Sequence, residues 1–100
     1  MNKREQLVAD INKQLDFKKI ERGETRRGEF FFNELNDKLK EAGLDRYCFK
    51  SYQSFINHIT TNVKLGKMMN NYVAILLGDY LKVNIKNRLI MIAREELYSD

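Results

Sequence analysis

A thiol and an imidazole are the first candidates for chemistry in this chain. Cys48 and His58 are its sole cysteine and histidine, and such residues can form a nucleophile–base pair. The sequence offers no third member and no recognisable oxyanion loop. We therefore interpret Cys48, between Tyr47 and Phe49, as a small buried hydrophobic residue. His58 lacks nearby carboxylates in the sequence, so no metal site is expected.

Two short patterns resemble motifs of phosphate chemistry. Asp16-Phe17-Lys18, with Asp10 upstream, matches the acid-x-Lys element of many nucleases. Those elements lie on strands, whereas this segment follows a helical pattern, and a chain with 14 acidic and 18 basic residues produces such matches by chance. Gly66-Lys67 lacks the upstream glycine and the following Ser or Thr of a phosphate loop. The chain is therefore predicted to be non-enzymatic, without cofactor or metal.

The distribution of charge points more clearly to a function. The net charge is +4, but the first 45 residues carry ten basic and ten acidic side chains and are neutral. Between positions 46 and 94 the only acid is Asp79. The basic residues of that segment are Arg46, Lys50, Lys64, Lys67, Lys82, Lys86, Arg88 and Arg94. A segment of one sign creates a field that attracts polyanions such as nucleic acid.

Length and composition predict one small globular domain over residues 1–100. A chain of 100 residues with 43% hydrophobic and 32% charged residues is ordinary for such a domain. No apolar run is long enough to span a membrane. The single cysteine excludes an internal disulfide framework, and the expected location is the reducing cytoplasm.

Apolar residues recur at helical spacing throughout, and the absence of proline fits a mostly helical chain. The spacing predicts five helices, at about 3–20, 26–42, 52–63, 67–81 and 85–98. Gly23 and Gly43 are predicted helix stops. Thr25, Ser51 and Asn84 are predicted N-caps. The expected fold is an all-α bundle of four to five helices around a central hydrophobic helix at about 67–81.

That fourth helix is apolar over more than half of its circumference. A narrow stripe on a helical wheel holds Lys67, Asn70, Asn71, Ala74 and Gly78. Two interpretations remain open. The small residues can let another helix of the fold lie close, or the Lys-Asn-Asn end can face a partner. Asparagine pairs with adenine in the major groove, and lysine reaches guanine or phosphate.

The third and fourth predicted helices, joined by a three-residue turn containing Gly66, have the outline of a helix-turn-helix. This outline favours DNA over RNA as the partner. The predicted binding residues are Lys64, Lys67, Asn70, Asn71, Lys82, Lys86 and Arg88. A secondary basic cluster comprises Arg22, Arg26 and Arg27, with Glu21 and Glu24 interrupting it.

A second functional hypothesis is a protein-binding modulator, an inhibitor or adaptor of the kind that phages and mobile elements encode. Its basic face would steer it to an acidic or nucleic-acid-binding protein surface. An apolar patch around Phe30, Phe32 or Met91 would supply binding energy. A structural role in a larger assembly is a third hypothesis. Self-association through Ala74 and Gly78 to give a homodimer would suit that role, and it would also suit a dimeric DNA-binding protein.

Overall fold

The computed structural model describes residues 2–98, and within that range it contains helices but no strand. The predicted all-α fold is confirmed. The α-helices are α1 (Lys3–Arg22), α2 (Glu29–Glu41), α3 (Tyr52–Ile59), α4 (Thr61–Lys64), α5 (Asn71–Leu81) and α6 (Ile85–Tyr98), with a short 3-10 helix at Asp45–Tyr47. No helix of the described range is long and apolar enough to cross a membrane.

Helix α1 has both of its ends defined by local sequence. The side-chain oxygen of Asn2 accepts a hydrogen bond from the backbone N–H of Glu5, which satisfies one of the free donors of the first turn. Gly23 is left-handed with a φ of 66°, and the predicted stop at Gly23 is confirmed. The inward stripe is Leu7, Val8, Ile11 and Leu15, all buried.

Helix α2 begins later than predicted. The start at Arg26 after a Thr25 cap is wrong, because the helix begins at Glu29 after the left-handed Gly28. A carboxylate oxygen of Glu24 accepts a hydrogen bond of 2.6 Å from the N–H of Phe30, so Glu24 satisfies a first-turn donor in place of Thr25. The predicted end at Gly43, with a φ of 73°, is confirmed.

The predicted third helix is interrupted. Thr60 has a φ of −125° and a ψ of −83°, and its hydroxyl donates to the carbonyl of Ile56. This break separates α3 from the single turn of α4. The predicted cap is confirmed, because the Ser51 hydroxyl oxygen accepts from the N–H of Ser54.

Helix α5 begins at Asn71, four residues later than predicted, so the predicted start at Lys67 is wrong. Residues 67–70 lie outside any helix, and Asn70 is the N-cap, its side-chain oxygen accepting from the N–H of Tyr72. Helix α5 packs against α1, α2 and α6, as expected of a central helix. It still leaves one face exposed, where Tyr72 and Ile75 lie in contact with solvent.

The small residues of α5 serve packing within the chain. Ala74 is buried, and a Cβ added at Gly78 would lie 2.8 Å from the carbonyl oxygen of Val83. The N–H of Val83 in turn donates to the carbonyl of Gly78, which brings the α5–α6 connection against the helix. Of the two interpretations of this stripe, the structure supports close packing inside the fold, but the element that lies against Gly78 is the α5–α6 connection and not another helix.

Helices α1 and α6 run antiparallel and are joined by ion pairs along their length. Lys3 pairs with Glu95, and Asp10 pairs with Arg88 at 2.7 Å. Between them Arg4, which is buried, donates from Nε and Nη2 to both carboxylate oxygens of Glu96. Arg4 also donates from Nη1 to the carbonyl of Val63, so one guanidinium connects α1, α4 and α6.

Candidate nucleic-acid interface

The seven predicted binding residues do not form one continuous surface. They divide into two groups at opposite ends of α5, whose 11 residues span about 16 Å at the rise of an α-helix. The group before and at the start of α5 is Lys64, Lys67, Asn70 and Asn71, and the group at and beyond its end is Lys82, Lys86 and Arg88.

The group beyond α5 is partly committed to the fold. Arg88 donates from Nη1 to Asp10 at 2.7 Å, and this hydrogen bond is the main reason why the pKa of Asp10 is lowered. Lys82 adopts a left-handed conformation with a φ of 57° as the C-cap of α5. Lys86 lies exposed in the first turn of α6. The charge of Arg88 is thus used in an ion pair within the fold, whereas the charges of Lys82 and Lys86 are exposed to solvent.

The group before α5 is positioned by Asn70 and His58. The N–H of Asn70 donates a hydrogen bond of 2.9 Å to Nε2 of His58, while its side chain caps α5. The amide oxygen of Asn70 is therefore engaged inside the chain. Lys64, Lys67 and Asn71 are exposed, so they remain available to a partner.

His58 connects the two irregular segments that meet at this end of the molecule. Its ring lies 5.1 Å from that of Phe49, centroid to centroid, on the connection between α2 and α3. Its Nε2 bonds Asn70 on the connection between α4 and α5. Burial lowers the pKa of His58, which favours the neutral ring that an acceptor Nε2 requires.

A pair of tyrosines joins the connection between α2 and α3 to the first turn of α5, and no pattern in the sequence predicts this pairing. The rings of Tyr47 and Tyr72 are 5.4 Å apart between centroids, and the guanidinium carbon of Arg46 lies 4.7 Å from the centroid of Tyr47. Tyr47 is 37% exposed and Tyr72 is 40% exposed. We give the name α5 edge to five exposed residues: Arg46 and Tyr47 on the first connection, Lys67 on the second, and Asn71 and Tyr72 in the first turn of α5.

Asn36 of α2 holds the first of these segments in place. Its side-chain oxygen accepts from the N–H of Phe49 at 3.0 Å, and its Nδ2 donates to the Phe49 carbonyl at 3.1 Å. The thiol of Cys48 donates to the backbone carbonyl of Asn36. These bonds fix the backbone directly after Tyr47 and so help to hold the Tyr47 ring in place. The thiol and the His58 ring have different partners and do not pair.

Ion pairing makes the charge asymmetry of the chain sharper. Among the residues that the structure describes, six ion pairs form, and they include half of the ten basic residues in the first 45. Of the eight basic residues between positions 46 and 94, only Arg88 has a carboxylate within 4.0 Å in that range. The remaining seven are Arg46, Lys50, Lys64, Lys67, Lys82, Lys86 and Arg94.

Two of the three arginines of the secondary basic cluster form ion pairs within the fold. Arg27 forms a two-point pair with Asp16, at 2.7 and 2.8 Å, and the Asp16 carboxylate of the acid-x-Lys pattern is therefore part of this ion pair. Arg26 pairs with Glu29 and lies 4.0 Å from the ring centroid of Tyr52. Arg22 lies 4.0 Å from the ring centroid of Phe30. Arg26 and Arg27 thus have carboxylate partners, whereas Arg22, like Arg46, lies against an aromatic ring and has no carboxylate within 4.0 Å among residues 2–98.

No cluster of three or more His, Cys, Asp or Glu side chains suited to a metal ion occurs within residues 2–98. Comparison with models of protein families gave no match, and neither curated proteins nor solved structures gave a significant one.

Proposed function

We propose that this protein is a non-enzymatic nucleic-acid-binding protein with a regulatory role, and that it engages its partner around α5. The observation that carries the proposal is the set of seven basic side chains between positions 46 and 94 that have no carboxylate within 4.0 Å among residues 2–98. Cations that the fold does not neutralise attract phosphates and release counterions when they bind them.

The geometry of the α5 edge favours contacts with phosphates and exposed bases over reading of the major groove. A helix-turn-helix joins its helices by three or four residues, whereas six residues, 65–70, separate α4 from α5. The predicted three-residue turn is therefore wrong. Lys67 precedes the helix, and the amide oxygen of Asn70 caps it. Of the two asparagines predicted to bind the partner, Asn71 is the one whose side chain makes no hydrogen bond within the described residues.

A salt-dependent titration tests the proposal. Labelled DNA and RNA oligonucleotides are titrated with the protein at about 50 mM and about 200 mM salt, and affinity should fall by a log–log slope of about 0.9 per phosphate neutralised on duplex DNA. The double substitution Lys64→Glu with Lys67→Glu should weaken binding strongly. The absence of binding to every oligonucleotide at the lower salt concentration would rule out the proposal.

A charge-matched variant controls for the effect of net charge. Lys13→Glu with Lys19→Glu on α1 changes the net charge by the same amount, outside the basic segment. This variant should retain most of the affinity. Equal losses in the two double variants would mean that binding depends on the overall charge and not on the residues near α5.

One observation favours the protein-binding modulator as a second candidate. Leu65 and Met68, beside the α5 edge, are 71% and 56% exposed, and large apolar side chains at a basic rim suit a protein interface. Of the patch predicted from sequence, Phe30 and Met91 are exposed, while Phe32 packs against the core. A modulator would bind no nucleic acid at low salt. It would retain one partner protein, and Leu65→Asp with Met68→Asp would abolish that retention, while Ile20→Asp, at a residue 80% exposed on α1, would not.

A further inference from the structure

We infer that the α5 edge binds single-stranded nucleic acid, with unpaired bases stacking on Tyr47 and Tyr72. This inference rests on the proposed function and specifies the form of nucleic acid. It depends on the contact between the two tyrosine rings, on their exposure and on the cations that flank them.

The two rings form a platform of the kind that accepts bases. Their centroids are 5.4 Å apart with planes inclined by 52°, so the rings meet at an angle and do not cover each other face to face. More than a third of each residue is exposed. Aromatic side chains that line a basic surface stack on bases without regard to sequence, because every base has a π face. In a duplex those faces are covered by neighbouring base pairs, so a stacking platform selects unpaired strands.

Positive charge lies directly beside the platform. The guanidinium of Arg46 is positioned over the Tyr47 ring at 4.7 Å from its centroid, and it has no carboxylate within 4.0 Å in the described range. Lys67 is exposed on the segment that leads into Tyr72. A strand whose bases stack on the open faces of the rings would bring its phosphates near the Arg46 guanidinium, and aromatic rings next to cations are the combination that single-strand binding uses.

The exposed face of α5 extends the platform. Ile75 lies one turn after Tyr72 and is 44% exposed, and residues three apart share a helix face. Met68, 56% exposed, lies four positions before Tyr72 on the segment that leads into α5. Asp79 lies two turns beyond Tyr72, toward the other end of α5. Asp45 precedes Arg46 in the 3-10 helix, but Arg46 has no carboxylate within 4.0 Å among residues 2–98.

Fluorescence anisotropy at about 50 mM salt tests the inference. Three labelled probes are compared: a mixed-sequence DNA strand of about 20 nucleotides, an RNA strand of the same sequence and the corresponding DNA duplex. We expect a single strand to bind more tightly than the duplex. Tyr47→Ala and Tyr72→Ala should each reduce single-strand affinity by about ten- to a hundredfold, and Tyr72→Phe should restore most of it. Tyr98→Ala, at a residue 82% exposed on α6, should leave the affinity unchanged. Thermal unfolding of each variant confirms that it is folded.

The outcomes separate this inference from the proposed function. Tighter binding of either single strand, lost in both alanine variants, supports the inference, and the DNA and RNA arms identify the strand. If the alanine variants bind like the wild type while Lys64→Glu with Lys67→Glu does not, the stacking inference is overturned and nucleic-acid binding stands. Preference for the duplex overturns the inference in the same way. Failure to bind all three probes overturns both.

Discussion

The backbone N–H of Asn70 donates a hydrogen bond of 2.9 Å to Nε2 of His58. The two residues are 12 positions apart, and the bond fixes the segment that leads into α5 against α3. Because the ring of His58 also contacts Phe49, this one imidazole supports both segments that form the α5 edge. Its protonation state should therefore affect the stability of the fold.

Acidification should destabilise the protein through His58. Burial lowers the pKa of His58 below its ordinary value of 6.5, so the folded state favours the neutral ring. The stabilisation is complete above pH 6.5 and is lost as the pH falls through the folded-state pKa, with a slope of at most about 1.4 kcal/mol per pH unit. Denaturant unfolding at about pH 7.5 and about pH 5 measures this loss.

Asp10 and Glu96 do not obscure that measurement. Their pKa values are lowered, mainly by hydrogen bonds from Arg88 and Arg4, so their stabilisation is lost only at more acidic pH. His58→Gln keeps a hydrogen-bond acceptor without titrating in this range. It should remove the pH dependence between pH 7.5 and 5, and an unchanged dependence in this variant would contradict the assignment to His58.

Arg4 should contribute far more to stability than its neighbour Lys3, although both pair with a glutamate of α6. Arg4→Met removes the buried hydrogen bond to the Val63 carbonyl and both hydrogen bonds to the Glu96 carboxylate. Hydrogen bonds that involve a charged group are the stronger ones, so this change should cost about 1–3 kcal/mol. Lys3→Met removes a pair whose side chains are 66% and 50% exposed, for which a change below about 1 kcal/mol is expected. Denaturant unfolding at neutral pH compares them, and equal losses would contradict the structural role of Arg4.

Gly78→Ala should destabilise the protein even though alanine is the better helix former. The added methyl would lie 2.8 Å from the Val83 carbonyl oxygen, and the displacement of the α5–α6 connection should cost about 1–3 kcal/mol, more than the gain of about 1 kcal/mol in helix propensity. Asp79→Ala, at the adjacent exposed position, is the matched control and should be neutral or stabilising. Thermal unfolding distinguishes these results, and a higher Tm for Gly78→Ala would contradict the close contact.

The elements that the sequence predicted well are those governed by short-range patterns. The stripe of Leu7, Val8, Ile11 and Leu15 repeats at helical spacing, and all four residues are buried. Gly23 and Gly43 end helices because they adopt left-handed backbone angles that other residues rarely adopt. Ser51 caps α3 through a bond to a residue three positions away. Each of these features depends on a few neighbouring residues.

The errors occurred where distant residues decide the local structure. The periodic pattern extends through residues 67–70, but Met69 is buried in the core and the N–H of Asn70 bonds His58, so α5 begins at Asn71. Helix α2 begins at Glu29 with Glu24 as a capping acceptor, and the hydroxyl of Tyr52 bonds the carbonyl of Arg27 just before it. These tertiary contacts outweigh the weak local preference for an earlier start.

The amino-acid sequence by itself determined the helical class of the fold and the concentration of basic residues after position 45, because both follow from residue type and short-range spacing. The tertiary structure alone decided which cations are neutralised. Arg88 meets Asp10 across 78 positions of the chain, while Arg46 and Lys67 meet no carboxylate within residues 2–98. It also brought Tyr47 to Tyr72, since a contact between side chains 25 positions apart exists only once the helices pack.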